Sequence, residues 1–332
     1  MNAFLPEIIG SLLFCLLVFL NIDNLIKKIN LFDYPNARKI HSKKTSLLGG
    51  TIIFSYFLYY YVLKYIFSDL SFLTDLYFFS LKNYITYFFS ILIIFLIGLY
   101  DDKFKLQNIK KLFFLGISLF ILFTQSQILQ INSLDFSFGI NIITNNLSIV
   151  FTTILCLAII IAMNLYDGIN LQSGIFYFIN FLFLSILLNK LSLIFLFIPP
   201  LILFLLFNYN NKIFLGDSGS NILSFSLIYF LLKSYNIQNQ YFFDEILIFF
   251  FLPLIDAARL FIVRVYKNGK PFFADNNHFH HLLLRNLGFF NTILITSLLV
   301  LFPHIGLIFK FNTILLFCVQ LTIYLLLLYR FK

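Results

Sequence analysis

The chain has 332 residues, 61% of them hydrophobic and only 11% charged, with a mean hydropathy of +0.94. A soluble chain of this size carries about 25% charged residues, so these figures exclude a soluble enzyme, and repeated apolar runs near bilayer length indicate a polytopic membrane protein. The net charge of +9 would suit a nucleic acid, but basic residues also set membrane topology, and their positions decide between the two.

Residues 1–22 lack a basic n-region and a small-residue cleavage site, so they read as a first membrane helix rather than a signal peptide. Apolar runs between polar breaks predict helices near 4–22, 47–67, 84–100, 112–129, 147–163 and 174–189. Five more are predicted near 191–208, 221–232, 246–263, 290–309 and 312–329. The fold class is therefore all-α, a single transmembrane domain over 1–332 with about eleven spans. Cys15, Cys156 and Cys318 lie inside apolar runs without metal spacing and read as small core residues.

Eleven crossings place 23–46, 101–111, 164–173, 209–220, 264–289 and the C-terminal tail on one side. Of the 23 Lys and Arg residues, only Lys82, Lys190, Lys233 and Lys310 fall in the opposite connections, and Lys64 and Arg259 fall within spans. Short loops rich in Lys and Arg stay in the cytoplasm, so the basic side is cytoplasmic. Charge spread over loops in this way removes the case for nucleic acid.

The polar clusters share that side: "DYPNARKIHSKK" at 33–44, "DDKFK" at 101–105, "NLYDGIN" at 164–170, "LGDSGS" at 215–220 and "ADNNHFHHLLLR" at 274–285. Asp101, Asp102, Asp167 and Asp217 bring four carboxylates to one membrane face. Oxygen ligands suit Mg²⁺, which is usually held by one or two carboxylates plus substrate phosphates. Arg38, Lys39, Lys105 and Lys111 supply cations that can neutralise phosphate. Together these are the parts of phosphoryl transfer.

Each piece has a plainer reading. Two aspartates at a helix end can be a solvated boundary, "LGDSGS" can be a turn and helix cap, and "RKIH" can be a membrane anchor. "HFHH" could bind zinc, but no cysteine accompanies it and the adjacent His280 and His281 diverge on a helix. Contact with an anionic substrate is favoured. His304, alone in an apolar run, reads as a packing residue. Asp256 sits inside an apolar segment with Arg259 three residues on, which admits a structural ion pair or a functional role. A transporter would place ionisable residues near the midplane with paired helix breaks, and no Gly or Pro break pairs with Asp256, Arg259 or His304. A non-catalytic scaffold would have little reason to keep all four acids.

Taken in order, these motifs resemble those of the polyprenyl-phosphate N-acetylhexosamine-1-phosphate transferases, glycosyltransferase family 4. That family includes the phospho-N-acetylmuramoyl-pentapeptide transferase of peptidoglycan synthesis and GlcNAc-1-phosphate transferases of O-antigen, enterobacterial common antigen and teichoic acid. The resemblance runs from about residue 33 to 285. "DYPNARKIH" with Gly49 and Gly50 is similar to D-x-P-N-x-R-K-x-H…P-x-x-G-G, with Ser46 where Pro is usual, and brings in Arg38, Lys39 and His41. "DDKFK" matches D-D-x-x-K through Asp101, Asp102 and Lys105, "NLYDG" matches N-x-x-D-G through Asn164 and Asp167, and "LGDSGS" matches G-D-x-G-S through Asp217. "HFHH", with His278, His280 and His281, resembles the H-x-H-H loop of the GlcNAc branch more than the H-H-H loop of the muramoyl-pentapeptide branch; "PLIDAAR", with Asp256 and Arg259, fits as well. Asn170 departs from the family by standing where a second acid is usual, with one residue missing before Gly174.

The resemblance implies transfer of a sugar-1-phosphate from a UDP-sugar to undecaprenyl phosphate with release of UMP, in a bacterial inner membrane with the active site facing the cytoplasm. It implies Mg²⁺, with Mn²⁺ as an alternative, on Asp217 with Asp102 and Asp167, and Asp101 beside the attacking phosphate. Lys105 and Lys111 would hold phosphates, and Asn164 with Asn170 would lie on the nucleotide-sugar side. The histidines would read the sugar or its diphosphate. Family members often pair as dimers, so the resemblance allows a homodimer, although nothing in these residues shows a dimer face.

Overall fold

The computed structural model describes residues 5–35, 43–68, 80–238, 241–268 and 276–331. The described chain is almost wholly helical. In order, α1 is Leu5–Ile29, α2 Gly49–Ser68, α3 Leu81–Phe104, α4 Asn108–Gln125, α5 Ser148–Tyr166, α6 Gln172–Leu187 and α7 Leu191–Tyr209. Then come α8 Gly216–Gln238, α9 Phe243–Phe249, α10 Phe251–Asn268, α11 Phe279–Leu287, α12 Phe289–Ile308 and α13 Thr313–Phe331. The extended segments are short: β1 Phe32–Asp33 pairs with β2 Thr45–Ser46, and β3 Ser133–Asp135 with β4 Asn141–Ile143, both antiparallel.

Helices stand at all eleven positions predicted from the sequence, the ninth as the broken pair α9 and α10. Among the described residues, seven stretches are long and apolar enough to cross a bilayer: α1, α3, α4, α5 with its preceding turn, α7, α12 and α13. The α9–α10 pair, bent by 81°, makes an eighth if it counts as one span. Two of the helices outside this set, α6 and α8, have visible reasons. With 16 residues, α6 is short, whereas α8 carries Ser218, Ser220, Asn221, Ser224, Ser226, Lys233 and Ser234, all shielded from the surroundings at 0% exposure. A helix covered on all sides by protein does not need the composition of one that faces lipid. Apolar side chains on outer helices, such as Leu20, Ile109 and Phe290, are about two-thirds exposed or more. That pattern belongs to a multi-pass membrane protein.

The chain divides into two compact units. The first comprises Met1–Ser118 and Tyr177–Ser226. Within it α1, α2 and α7 pack against one another, joined by tyrosine hydroxyls in place of water. Ser11 Oγ donates to Tyr56 Oη at 2.7 Å and Tyr56 donates on to the Phe195 carbonyl at 2.5 Å, while Tyr60 donates to the Ser192 carbonyl. Near the start of α1, Glu7 forms an ion pair with Lys64 of α2, both about 4% exposed.

The second unit comprises Leu119–Phe176 and Leu227–Lys332. Here α5 packs along α10, and α11, α12 and α13 pack together. Buried Asp244 at the start of α9 accepts from Ser137 N and Oγ, at 2.9 and 2.6 Å, and from Thr313 Oγ1, which ties the loop after β3 to the start of α13. His304 donates from Nδ1 to the Val300 carbonyl at 2.7 Å and packs edge-on against Phe249, a helix-packing role.

The Glu7–Lys64 pair yields a stability test. Lys64→Met leaves a carboxylate buried without this partner and should lower stability by about 3 kcal/mol, whereas Glu7→Met combined with Lys64→Met should recover most of that loss. Thermal unfolding in detergent measures both; strictly additive losses would mean the two side chains do not act as a pair.

Candidate functional site

The first unit explains why α3 ends on two adjacent carboxylates. Negative charge at a helix C-terminus opposes the helix dipole, so each aspartate needs a compensating partner. Neighbouring positions on a helix point about 100° apart, and the partners here differ accordingly. Asp102, 4% exposed, reaches the N-terminus of α8. It accepts from the Asp217 amide at 2.8 Å, the Ser218 amide at 3.1 Å and Ser218 Oγ at 2.7 Å. Those amides are the orphan donors every helix start presents, and a carboxylate satisfies them with favourable charge. The approach depends on two glycines. A Cβ on Gly98 would lie 2.5 Å from Ser218 Cα, and Gly216 has φ +72° with Asp102 Oδ2 where a side chain would begin.

Asp101 turns the other way. Its Oδ1 accepts from the Leu106 amide at 2.7 Å and its Oδ2 meets Lys111 Nζ at 3.0 Å. The same ammonium lies 2.5 Å from Asp217 Oδ2. The turn that brings Lys111 back passes through Lys105, which has φ +53° and donates its amide to the Asp101 carbonyl. Lys111 is mostly buried and Asp217 is the more open of its partners, with 27% side-chain exposure. Lys105 projects outward and forms an ion pair with Asp33 of β1 at 3.7 Å.

The second unit holds the remaining sequence-predicted residues that the structure describes. Asp167 caps the end of α5, its amide donating to the Met163 carbonyl at 3.2 Å, and its carboxylate accepts from Ser173 Oγ. Asn164 and Asn170 flank it, both half-buried. Asp256 is 4% exposed and surrounded by donors. Arg259 reaches it with Nη2 at 2.7 Å, His278 Nδ1 at 2.9 Å, and the Phe279 amide at 3.2 Å. A carboxylate facing Nδ1 requires that nitrogen to carry the proton, so His278 Nε2 is the acceptor, 3.5 Å from Arg264 Nη2. Asp256 therefore anchors the start of α11, where His278 is the residue before the helix.

His280 is 1% exposed, with its ring nearly parallel to that of His278 and its Nε2 against Gly168. Burial, reinforced by the neighbouring His281 and His278 rings, pushes its imidazole well below the usual range. His280 is thus neutral at physiological pH. His281, by contrast, is partly exposed.

The structure joins Asp101, Asp102, Lys111 and Asp217 in one hydrogen-bonded cluster, and Asp256, Arg259 and His278 in another. Arg38, Lys39 and His41 lie outside the described residues. Sequence reasoning missed Ser218, Ser173, Arg264 and Tyr324. Ser218 and Ser173 had a signal, as hydroxyls inside the Gly-Asp-Ser-Gly and Asp-Gly segments; Tyr324, in an apolar run, had none.

Donor chemistry at Asp217 fits a hard cation. Its carboxylate is partly open and adjoins a second acid, the arrangement Mg²⁺ uses when phosphate oxygens complete its shell. Among the described residues no group of three or more His, Cys, Asp or Glu is placed to hold a metal ion by itself. The oxygens of Asp102 are occupied by three donors from α8, so within this cluster Asp217 is the group best placed to take the ion.

The family model described as glycosyl transferase family 4 matches residues 84–235, which include most of α3, the Asp167 segment and most of α8. An undecaprenyl-phosphate alpha-N-acetylglucosaminyl 1-phosphate transferase of Thermotoga maritima is 31% identical over 300 residues, covering 88% of this chain and 87% of the relative. Proteins of the same description from Yersinia pestis and Escherichia coli (strain K12) are 27% and 24% identical, covering 85% and 92% of this chain and 77% and 84% of their own lengths. The chain belongs to glycosyl transferase family 4.

Two outcomes follow from these geometries. Asp102→Ala strips the start of α8 of its acceptor and should lower stability by about 2 kcal/mol, whereas Asp217→Asn should leave the unfolding midpoint close to wild type; equal losses would remove the distinction between anchor and open carboxylate. The unfolded chain takes up a proton at His280 as pH falls through about 6.5, while the folded chain does not. The His280 contribution is therefore intact above that pH and is lost below it, by up to about 1.4 kcal/mol per pH unit. Unfolding midpoints measured from pH 7.5 to 5 should fall less steeply for His280→Gln, and parallel curves would show that His280 titrates normally.

Proposed function

We propose that this chain transfers a sugar-1-phosphate, an N-acetylhexosamine-1-phosphate such as GlcNAc-1-phosphate, from a UDP-sugar to undecaprenyl phosphate, releasing UMP. The carrying observation is Lys111 held between Asp101 and Asp217 at the N-terminus of α8. A cation and an open carboxylate at a helix start are what transfer between two phosphates requires. The names of the relatives, which cover most of this chain, support the acceptor and the transferred group.

In this reading an oxygen of the lipid phosphate attacks the β-phosphorus of the donor. The bond from that phosphorus to the bridging oxygen breaks, and UMP leaves with the bridging oxygen. The acceptor phosphate is already ionised near neutral pH, so Asp101 has no proton that it must remove; its work is to hold Lys111 in place. Lys111 and Lys105 carry positive charge to the phosphates. Asp102 fixes the start of α8, which sets the position of Asp217. When bound on Asp217, Mg²⁺ or Mn²⁺ would screen the charge that builds on the diphosphate.

Asn164, Asp167 and Asn170 act on the nucleotide sugar, with Asn170 contributing hydrogen bonds but no charge. His281, the more open of the three histidines, contacts the donor, while His278 and His280 hold the loop. By the family pattern Arg38, Lys39 and His41 add phosphate contacts. All eleven helical segments cross the membrane in this proposal, with the basic connections in the cytoplasm of a bacterial inner membrane. The product then begins a cell-surface polysaccharide.

Purified protein with undecaprenyl phosphate, Mg²⁺ and a panel of UDP-sugars, including UDP-N-acetylmuramoyl-pentapeptide, tests the proposal by UMP release. Release with a UDP-N-acetylhexosamine that vanishes in Asp217→Ala and on chelation is the expected result. Release with the pentapeptide donor alone would move the chain to the peptidoglycan step. No release with any donor, or full activity in Asp217→Ala, would overturn the assignment.

A further inference from the structure

We propose that Tyr324, on the last helix, is a positioning residue for the histidine loop, acting through Asp256. This proposal rests on the reading of that loop as part of the donor site. Tyr324 lies well beyond the last of the family's sequence motifs, within an otherwise apolar run of α13. It is 1% exposed. Its hydroxyl donates to Asp256 Oδ1 at 2.9 Å and accepts from Arg259 Nε at 2.9 Å. One hydroxyl thus bridges both members of the ion pair and adds a third point of attachment to the two direct bonds from Arg259 Nε and Nη2 to Asp256 Oδ1, at 3.2 and 2.7 Å.

The consequence passes to the loop through the other bonds of the same carboxylate. Asp256 Oδ2 holds His278 Nδ1, and both its oxygens lie 3.2 Å from the Phe279 amide, the first residue of α11. Arg259 Nη2 also donates to the Asn277 carbonyl at 2.7 Å. Three consecutive residues, Asn277, His278 and Phe279, are therefore set by a pair that Tyr324 aligns. The tyrosine ring adds a second hold, lying 4.8 Å from the ring of Phe279 between centroids. His281 follows directly, its amide donating to the His278 carbonyl at 3.0 Å. The Tyr324 hydroxyl ties this ion pair to α13, so the pair is held from a helix outside the loop as well as from its own. Without the hydroxyl, Asp256 and Arg259 can rotate together and carry His278 with them.

Tyr324→Phe removes the hydroxyl and keeps the ring against Phe279. The expected result is a KM for the UDP-sugar raised about tenfold, the scale of one lost hydrogen bond to a charged group, with the KM for undecaprenyl phosphate unchanged. Hydrogen–deuterium exchange should quicken in the peptide covering 278–287 and not in α12. Tyr329→Phe, an exposed tyrosine on the same helix, is the control and should match wild type in both readouts. A fall in kcat with both KM values unchanged, or faster exchange spread through α12 and α13, would mean a general loss of packing and would overturn the proposal. Exchange does not depend on turnover: if wild type releases no UMP with any donor, the transferase reading fails, yet localised exchange in Tyr324→Phe still supports the positioning role and unchanged exchange still refutes it. Should Tyr324→Phe not be recovered folded, Asp256→Asn weakens the same bond from its other end. It must show the same localised exchange for the proposal to stand.

Discussion

The hydrogen bonds from the start of α8 to Asp102 are the contact on which the first unit's chemistry turns. A helix N-terminus buried in a membrane protein leaves amide donors with no water to satisfy them. A carboxylate supplied by the end of α3 meets that need and removes its own unfavourable place at a helix C-terminus. Because the two helix ends are locked together by Asp102, Asp217 is held on the same first turn of α8, within reach of Lys111. The anchoring acid and the open acid are thus parts of one construction, and the geometry of the second depends on the burial of the first.

The same economy recurs in the second unit. Asp256 is buried inside α10, where an ionised carboxylate without partners would be strongly disfavoured. Arg259, His278, Tyr324 and the Phe279 amide together fill its acceptor positions. That full set of bonds makes the cluster rigid, since losing any donor leaves a buried charge short of a partner. His278 is consequently a structural member of its own motif. His280, packed on Gly168 and kept neutral by burial, is also more wall than reagent, and His281 is left as the histidine with open surface.

Several polar residues elsewhere in the helices share one environment. Ser220, Ser224 and Ser226 of α8, the tyrosine hydroxyls between α1, α2 and α7, and the Glu7–Lys64 pair are all enclosed by protein. Each sits where lipid does not reach, and each is bonded to a backbone carbonyl or another side chain. The outer faces carry Leu, Ile and Phe in their place. The membrane thus sorts residues by face, and a helix such as α8 can be among the most buried while failing a test of apolar length.

Much was legible in the sequence because the bilayer imposes a simple demand. Long apolar runs have few alternatives to helix in lipid, so all eleven segments coincide with helices, and the motif residues fall at or near helix ends, where polar groups are tolerated. Residue types alone also singled out Asp101, Asp102 and Asp217, though together with Asp167, and Lys111 only as one of four cations with Arg38, Lys39 and Lys105. Their division of labour was not legible. "DD" reads as two equivalent acids, and only the 100° turn between adjacent helical positions sends Asp102 to the backbone of α8 and Asp101 to Lys111. Nor could the sequence show that Asp256 and Arg259 share Tyr324, about 65 positions later and inside an apolar run. Composition and spacing determined which segments are helical and which residues carry charge. Tertiary structure alone decided which charge meets which, because partners are chosen by where helix ends converge in space, and that depends on packing between segments far apart in the chain.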